Sequence, residues 1–245
     1  MRKIEVCCSS VSEICEAAKG GAQRVELCGA IACGGVTPSY GLIKEASRLK
    51  DIIDINVIIR PREGCFLFSE QEVEEMCQDI DLCCELGLHG VVIGALTPYG
   101  DIDMHACRKM MAHARDLSVT FHRAFDVCRD PMKALEDIIT LGCDRILTSG
   151  LEATALEGAP LLARLIDKAA GRIIIMPGAG IRPSNIAQIE KITRAEEFHS
   201  TARITEPDGM LYNNPKVSFA VSPTLEGLLP HSDHRVVSEL VNNVL

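Results

Sequence analysis

Ser118 to Gly142 reads SVTFHRAFDVCRDPMKALEDIITLG and contains one whole strand–helix unit. Ser118 to His122 is a short β-like run. Asp130 and Pro131 then open a helix, because proline in the first turn gives up only a donor that would be unpaired anyway, and Gly142 closes it after Leu141. Between strand and helix lies a dense cluster of His122, Arg123 and Asp126 with Phe121 and Phe125, in a chain that has only six Phe, three Tyr and no Trp. An imidazole, a guanidinium and a carboxylate are expensive to bury without partners. The cluster therefore reads in two ways: as a functional site, or as an Arg–Asp pair bracing a loop around a core histidine.

The same unit recurs on both sides. Upstream, strands are expected at Lys3 to Cys8, Arg24 to Cys28, Asp54 to Arg60 and Gly90 to Gly94. Their helices are expected at Val11 to Lys19, Tyr40 to Leu49, Ser69 to Leu86 and Asp103 to Arg115. Val57-Ile58-Ile59 is the continuous apolar run of a strand covered on both faces. Ser69 followed by Glu72 is a capping-box pattern. Downstream come strands at Asp144 to Leu147, Arg172 to Met176 and Glu197 to Ser200, with helices at Ala159 to Ala170 and Pro183 to Thr193. Eight such repeats over residues 3–201 predict an α/β fold, a single (β/α)8 TIM barrel with a parallel eight-stranded inner sheet. Residues 202–245 read as an irregular excursion that carries a last helix from Asp233 to Val244, so the whole of 1–245 is expected to be one domain.

Composition narrows the function. With 47% hydrophobic residues and 24% charged ones, the chain can bury a large core. A net charge of −9 argues against nucleic acid as a partner, which favours a basic face, and against anionic membranes. No apolar run approaches the ~18 residues of a membrane span, and Glu5 interrupts the N-terminal apolar residues before a signal peptide could form. Twelve cysteines in a chain of this size suggest reduced, buried thiols of a cytoplasmic protein rather than a disulfide scaffold. No Cys-x-x-Cys or His-x3-His spacing suggests structural zinc. The nine lysines fall at strand starts, on helices or in loops, which removes the strand-end lysine a Schiff-base aldolase needs.

Barrel enzymes carry their chemistry at the C-terminal strand ends, and all of the residues named below are expected at that one end. Strands one and two offer Glu5 with Cys7 and Glu26 with Cys28, each pair on one face by alternation. Two thiols in register on adjacent strands are either packing or chemistry. Arg60 and Arg62 end strand three, where guanidiniums either hold a carboxylate or phosphate in a bidentate fork or brace Glu5 and Glu26 as internal ion pairs. Strand five adds His122 and Arg123, and strand six adds the turn Thr148-Ser149-Gly150. Strand seven runs into Gly178-Ala179-Gly180, whose backbone amides could approach an anion. Strand eight ends in His199.

Several of these blocks, in order, resemble the CutC family of copper-homeostasis proteins: Arg24-Val25-Glu26-Leu27-Cys28, Gly34-Gly35-Val36-Thr37-Pro38-Ser39, Ile59-Arg60-Pro61-Arg62, Thr120 to Asp126, Leu147-Thr148-Ser149-Gly150 and Phe198-His199. The resemblance implies a cytoplasmic (β/α)8 barrel that forms a homo-oligomer and handles copper, with Cu(I) as its ligand at Cys7 and Cys28. Soft thiolates suit Cu(I). Two departures stand out: Glu63-Gly64-Cys65 replaces a Gly-Gly-Asp pattern, and Thr201 stands where the family carries Ser. The rival expectation is an enzyme acting on a small anionic metabolite. Arg60, Arg62, Arg123, Ser149, Gly178 and Gly180 would bind the anion, and Glu26, His122 and His199 would move protons. A non-catalytic scaffold that takes neither ligand is the third.

Overall fold

The computed structural model describes residues 2–244 apart from 213, 215, 219, 221 and 222. Strand and helix alternate as β1 (Lys3–Cys8), α1 (Val11–Lys19), β2 (Arg24–Leu27), α2 (Tyr40–Ala46), β3 (Asp54–Ile58), α3 (Glu70–Glu85), β4 (Gly90–Ile93) and α4 (Met104–Ala114). They continue as β5 (Ser118–Phe121), α5 (Pro131–Leu141), β6 (Arg145–Thr148), α6 (Ala159–Ala169), β7 (Ile174–Pro177), α7 (Ile186–Thr193) and β8 (Glu197–Ser200). Among the described residues the main sheet has eight strands in the order β7-β6-β5-β4-β3-β2-β1-β8. Each hydrogen-bonded pair is parallel. The barrel is nearly closed where β7 meets β8: Ser200 Oγ donates to the Ile181 carbonyl at 2.9 Å.

Period-two alternation decides what faces where. Ile4, Val6 and Cys8 of β1, Val25 and Leu27 of β2, and Ile55 and Val57 of β3 join one large apolar core with the helices. That core takes Val73, Met76, Cys77, Ile80 and Cys83 from α3, spaced three and four apart as one helical face. Ser69 and Glu72 complete the expected capping box at the start of α3. The intervening strand residues include the polar or charged Glu5, Arg24, Glu26, Asn56, Thr120, Arg145, Glu197 and His199, all buried, beside apolar Ile58, Val92 and Met176. The barrel interior is therefore charged. Arg24 pairs with Glu5 and, at 2.5 Å, with Glu197. Arg145 Nε reaches the same Glu197 oxygen at 3.2 Å.

These contacts correct one expectation. Glu5 is braced by Arg24 from the middle of the barrel, and neither Arg60 nor Arg62 pairs with Glu5 or Glu26. Two further differences are local. Strand five stops at Phe121, and Arg123–Val127 wind into a 3-10 turn that His122 caps by accepting the Ala124 N–H at 3.1 Å. The tail beyond residue 202 is more regular than expected. It contains an antiparallel ribbon of β9 (Arg203–Pro207) and β10 (Leu228–Ser232) before α8 (His234–Asn242). Pro207 and Pro230 read as breakers, yet a two-stranded ribbon consists of edges, where a missing N–H is tolerated. Gly20 ends α1 where α8 crosses: a Cβ there would meet Val237 Cβ at 2.5 Å.

Arg24→Leu should cost about 3–5 kcal/mol of stability, because it strands two carboxylates in the barrel. Urea unfolding measures this, with the exposed Arg194–Asp167 pair as a control that should matter little. A loss no larger than the control's would show that the interior ions are not coupled in this way.

Candidate functional site

The C-terminal strand ends open into a cavity of about 910 Å3. Of the residues singled out in the sequence, Cys7, Glu26, Arg60, His122, Arg123, Gly180 and His199 line it. Cys28 is completely buried directly behind Cys7, their sulfurs 2.8 Å apart. Arg62, Ser149 and Gly178 are not among the lining residues.

The floor is built by β1, β2 and β8. The register places Cys7 beside Glu26 and Glu5 beside His199. His199 Nδ1 meets Glu5 Oε1 at 2.8 Å, and its Nε2 lies 3.8 Å from Glu26 Oε2. Burial alone would lower the pKa of His199, but Glu26, Cys7 and Glu5 outweigh it and hold the ring as an imidazolium well above its ordinary range. Burial likewise opposes charge on Glu5, yet Arg24 and His199 bring its pKa down to about 2. Glu26 has no guanidinium of its own, so desolvation prevails and raises its pKa.

The hydrogen bond to Cys28, then burial, push the Cys7 thiol well above the usual thiol range. For Cys28 the bond to Cys7 works downward, but burial and Glu26 leave the net shift upward. Both are thiols at neutral pH. Apolar Ile58 and Val92 pack with them, and Ile31 covers this small cluster. Gly35, at φ +82°, lies over Cys28, where a Cβ would be 3.4 Å from the Cys28 Cβ. A donor atom each from Cys7, Glu26 and His199 falls within 4.8 Å of the others, close enough to share one metal ion.

The opposite wall carries His122 in a contrasting environment. Burial, then the nearby Arg60 cation, bring its pKa down to about 3. Its Nδ1 accepts from Ala124, so the neutral ring carries its proton on Nε2. Phe66 packs at 5.0 Å from the imidazole, and the Arg60 guanidinium stacks over the same Phe66 ring at 4.9 Å. Gly94 makes room for the imidazole: a Cβ there would meet His122 Cε1 at 2.5 Å. Neither histidine titrates near neutrality. His122 is a neutral hydrogen-bond donor and His199 a fixed cation.

The remaining expected residues have structural partners. Arg60 donates to the carbonyls of Cys33, Gly35 and Gly64 at 3.1, 2.9 and 2.8 Å and ties two loops to the strand end. Arg62 pairs with Glu72 at 2.5 Å and with the Leu67 carbonyl at 2.8 Å, locking the following loop to α3. Cys65 is exposed in that loop. Arg123 pairs with Asp126 at 2.7 Å, and Asp126 also accepts from Thr148 Oγ1 at 2.5 Å and from the Ser149 amide at 2.9 Å. The loop-bracing pair is thus present, and beside it His122 still lines the cavity. The Gly178 amide donates to the Thr148 carbonyl at 2.9 Å. A Cβ on Gly178 would strike Leu147 Cδ1 at 2.4 Å, which gives this glycine a packing role. Arg182, Ser184 and Arg203 also line the cavity and were not singled out in the sequence. The first two directly follow the Gly-rich turn, which was the available clue.

Comparison with known proteins gives one family. The model of the CutC family matches residues 2–204. A CutC family protein of Parabacteroides distasonis is 56% identical over 221 residues, covering 90% of this chain and 91% of that protein. The human copper homeostasis protein cutC homolog is 48% identical over 219 residues, 89% of this chain and 80% of its own. A solved CutC structure from Streptococcus agalactiae superposes with a TM-score of 0.79 at 34% identity, covering 82% of this chain and 99% of that one.

The two histidines set opposite pH limits. The folded pKa of His122 is depressed from 6.5 to about 3, so its contribution to stability is present above pH 6.5 and is lost as pH falls toward 3. The folded pKa of His199 is raised, so its contribution is full below pH 6.5 and is lost as pH climbs toward the folded value. Nitrogen-15 NMR of the rings should find His199 protonated at about pH 8 and His122 unprotonated at about pH 5. Titration of both near 6.5 would contradict these environments.

Proposed function

The chain belongs to the CutC family, and on that premise we propose that it is a cytoplasmic copper-handling protein that holds one Cu(I) between Cys7 and Cys28. The observation that carries the proposal is the pair of sulfurs facing each other at 2.8 Å on adjacent strands. That gap is wider than the ~2.05 Å of a disulfide. It is narrower than the roughly 4.6 Å spanned by two metal–thiolate bonds of ~2.3 Å laid end to end, so the sulfurs must part as the ion enters. Cys7, at the cavity wall, offers the route.

The surroundings suit this ion. Two thiolates are a soft donor set that favours Cu(I) over harder cations, and Ile58 and Val92 keep the pair dry. A Cu(I) bis-thiolate carries one net negative charge, which the imidazolium of His199 would neutralise beside it. Each thiol must release its proton to the metal. All twelve cysteines are free, as a reducing cytoplasm would keep them, and among the described residues no helix is long and apolar enough to cross a membrane. A homo-oligomer belongs to the same proposal, and light scattering of the purified protein tests it.

Titration of the reduced protein with Cu(I) against a competing chelator should show one tight equivalent. Cys7→Ser/Cys28→Ser should weaken it by more than ~100-fold, beyond the loss caused by an outer-shell change. The exposed pair variant Cys33→Ser/Cys65→Ser should retain it. Equal stoichiometry and affinity in wild type and the Cys7/Cys28 variant would sink the assignment.

A further inference from the structure

Four buried polar atoms on residues lining the cavity have no hydrogen-bond partner among the described residues: His122 Nε2, Arg60 Nε, Arg203 Nε and Glu26 Oε1. A buried donor or acceptor left unmatched is strongly unfavourable, and here the imbalance has a pattern. His122 Nε2 and Arg60 Nε each present an N–H, and the two residues are neighbours through the ring of Phe66. Glu26 Oε1, on the floor, presents an acceptor. The wall thus calls for an oxygen and the floor for a hydroxyl or amine.

Charge points the same way. The chain is acidic overall, at −9, yet Arg60, Arg123, Arg182 and Arg203 line this cavity against Glu26 and Glu239. Arg123 is neutralised by Asp126 and Arg203 by Glu13. Arg60, 5% exposed, donates to carbonyls and stacks on the Phe66 ring, but among the described residues it has no carboxylate within ion-pair distance. Arg182, exposed at the rim, has none either among the described residues. A buried cation without a counter-ion is unfavourable, and an anionic ligand would supply the missing charge.

We propose that this cavity binds a small organic oxyanion that also carries a hydroxyl or amino group. A small rotation of the side chains opens these enclosed atoms to the cavity, where a phosphate or carboxylate oxygen accepts from His122 Nε2–H and Arg60 Nε–H, Arg182 adds charge at the rim, and the ligand's own donor meets Glu26 Oε1. The volume of about 910 Å3 accommodates a metabolite of ordinary size. His122 is suited to the contact because its ring stays neutral: its one N–H is fixed on Nε2 by the Ala124 bond. The anion contacts lie on β3, β5 and the loop after β7, with Glu26 of β2 the one group beside Cys7; the copper ligands are Cys7 and Cys28 themselves, so each site is tested by its own variants.

Calorimetry and ring nitrogen-15 NMR with glycerol 3-phosphate, glycerate and glycerol test the proposal. The two anions separate phosphate from carboxylate recognition, and glycerol offers hydroxyls without charge. At least one anion should bind saturably and shift His122 Nε2, and glycerol should not. His122→Asn keeps an oxygen to cap the Ala124 N–H but removes the Nε2 donor, and Arg182→Ala removes an exposed side chain with no partner to lose. Each should weaken binding about tenfold or more, the effect of a lost charge-assisted hydrogen bond or ion contact. Arg194→Ala, whose exposed side chain pairs with Asp167 and is not among the cavity-lining residues, should bind the anion as wild type does. Absence of saturable binding of either anion to wild type up to about ten millimolar, tenfold above a millimolar dissociation constant, overturns the proposal. So does unchanged affinity in both Arg182→Ala and His122→Asn. Neither result bears on the copper titration.

Discussion

Glu5 joins the two halves of the barrel interior through its two carboxylate oxygens. Oε2 takes Arg24, and through Arg24 it is tied to Glu197 and Arg145. Oε1 takes His199, which faces Glu26 and Cys7 at the cavity floor. A carboxylate buried to this degree would be neutral without such partners. Its ionisation holds the imidazolium in place, so the charge at the functional end rests on the ion pairs in the middle of the barrel. The interior carries a chain of alternating charges from Arg145 through Glu197, Arg24 and Glu5 to His199, and it fixes the orientation of the one cation beside the thiols.

That cation separates two kinds of chemistry within one cavity. On the floor, a pair of thiols in an apolar setting lies next to His199, where a soft monovalent metal would leave one negative charge to balance. On the far wall, burial and then the neighbouring Arg60 keep His122 neutral. The same residue type takes opposite protonation states a short distance apart because one ring faces carboxylates and the other faces a guanidinium. The apolar core outside the strands makes no such distinction. The division arises only from which charged side chain each strand end places next to an imidazole.

Much of this was legible in the sequence. The eight strand–helix units follow from apolar runs, caps such as Ser69 with Glu72, and the Pro131 and Gly142 signals around one helix. The convergence of Cys7, Glu26, Arg60, His122 and His199 follows from their common place at strand ends. Other features were hidden. Arg24 and Arg145 lie near the starts of their strands, and only the folded structure shows that they turn inward to share Glu197. Arg62 and Gly178 have the right residue types in the right places, but Arg62 is tied to Glu72 at the start of α3 and Gly178 is packed against Leu147 of β6, neither of which the strand-end pattern reveals. The ribbon after residue 202 escaped notice because its strands are exposed, carry proline and lack a buried face to impose alternation. The Arg182 position was within reach, immediately after a Gly-rich turn.

The central claim is that Cys7 and Cys28 together are the ligands of Cu(I). X-ray absorption at the copper edge of the reduced, singly loaded protein tests it most directly. The account predicts a nearest shell of two sulfurs at close to the ~2.3 Å of a metal–thiolate bond, with no light-atom neighbour at comparable distance. A shell dominated by nitrogen or oxygen, or a two-sulfur shell that persists in Cys7→Ser/Cys28→Ser, would contradict it.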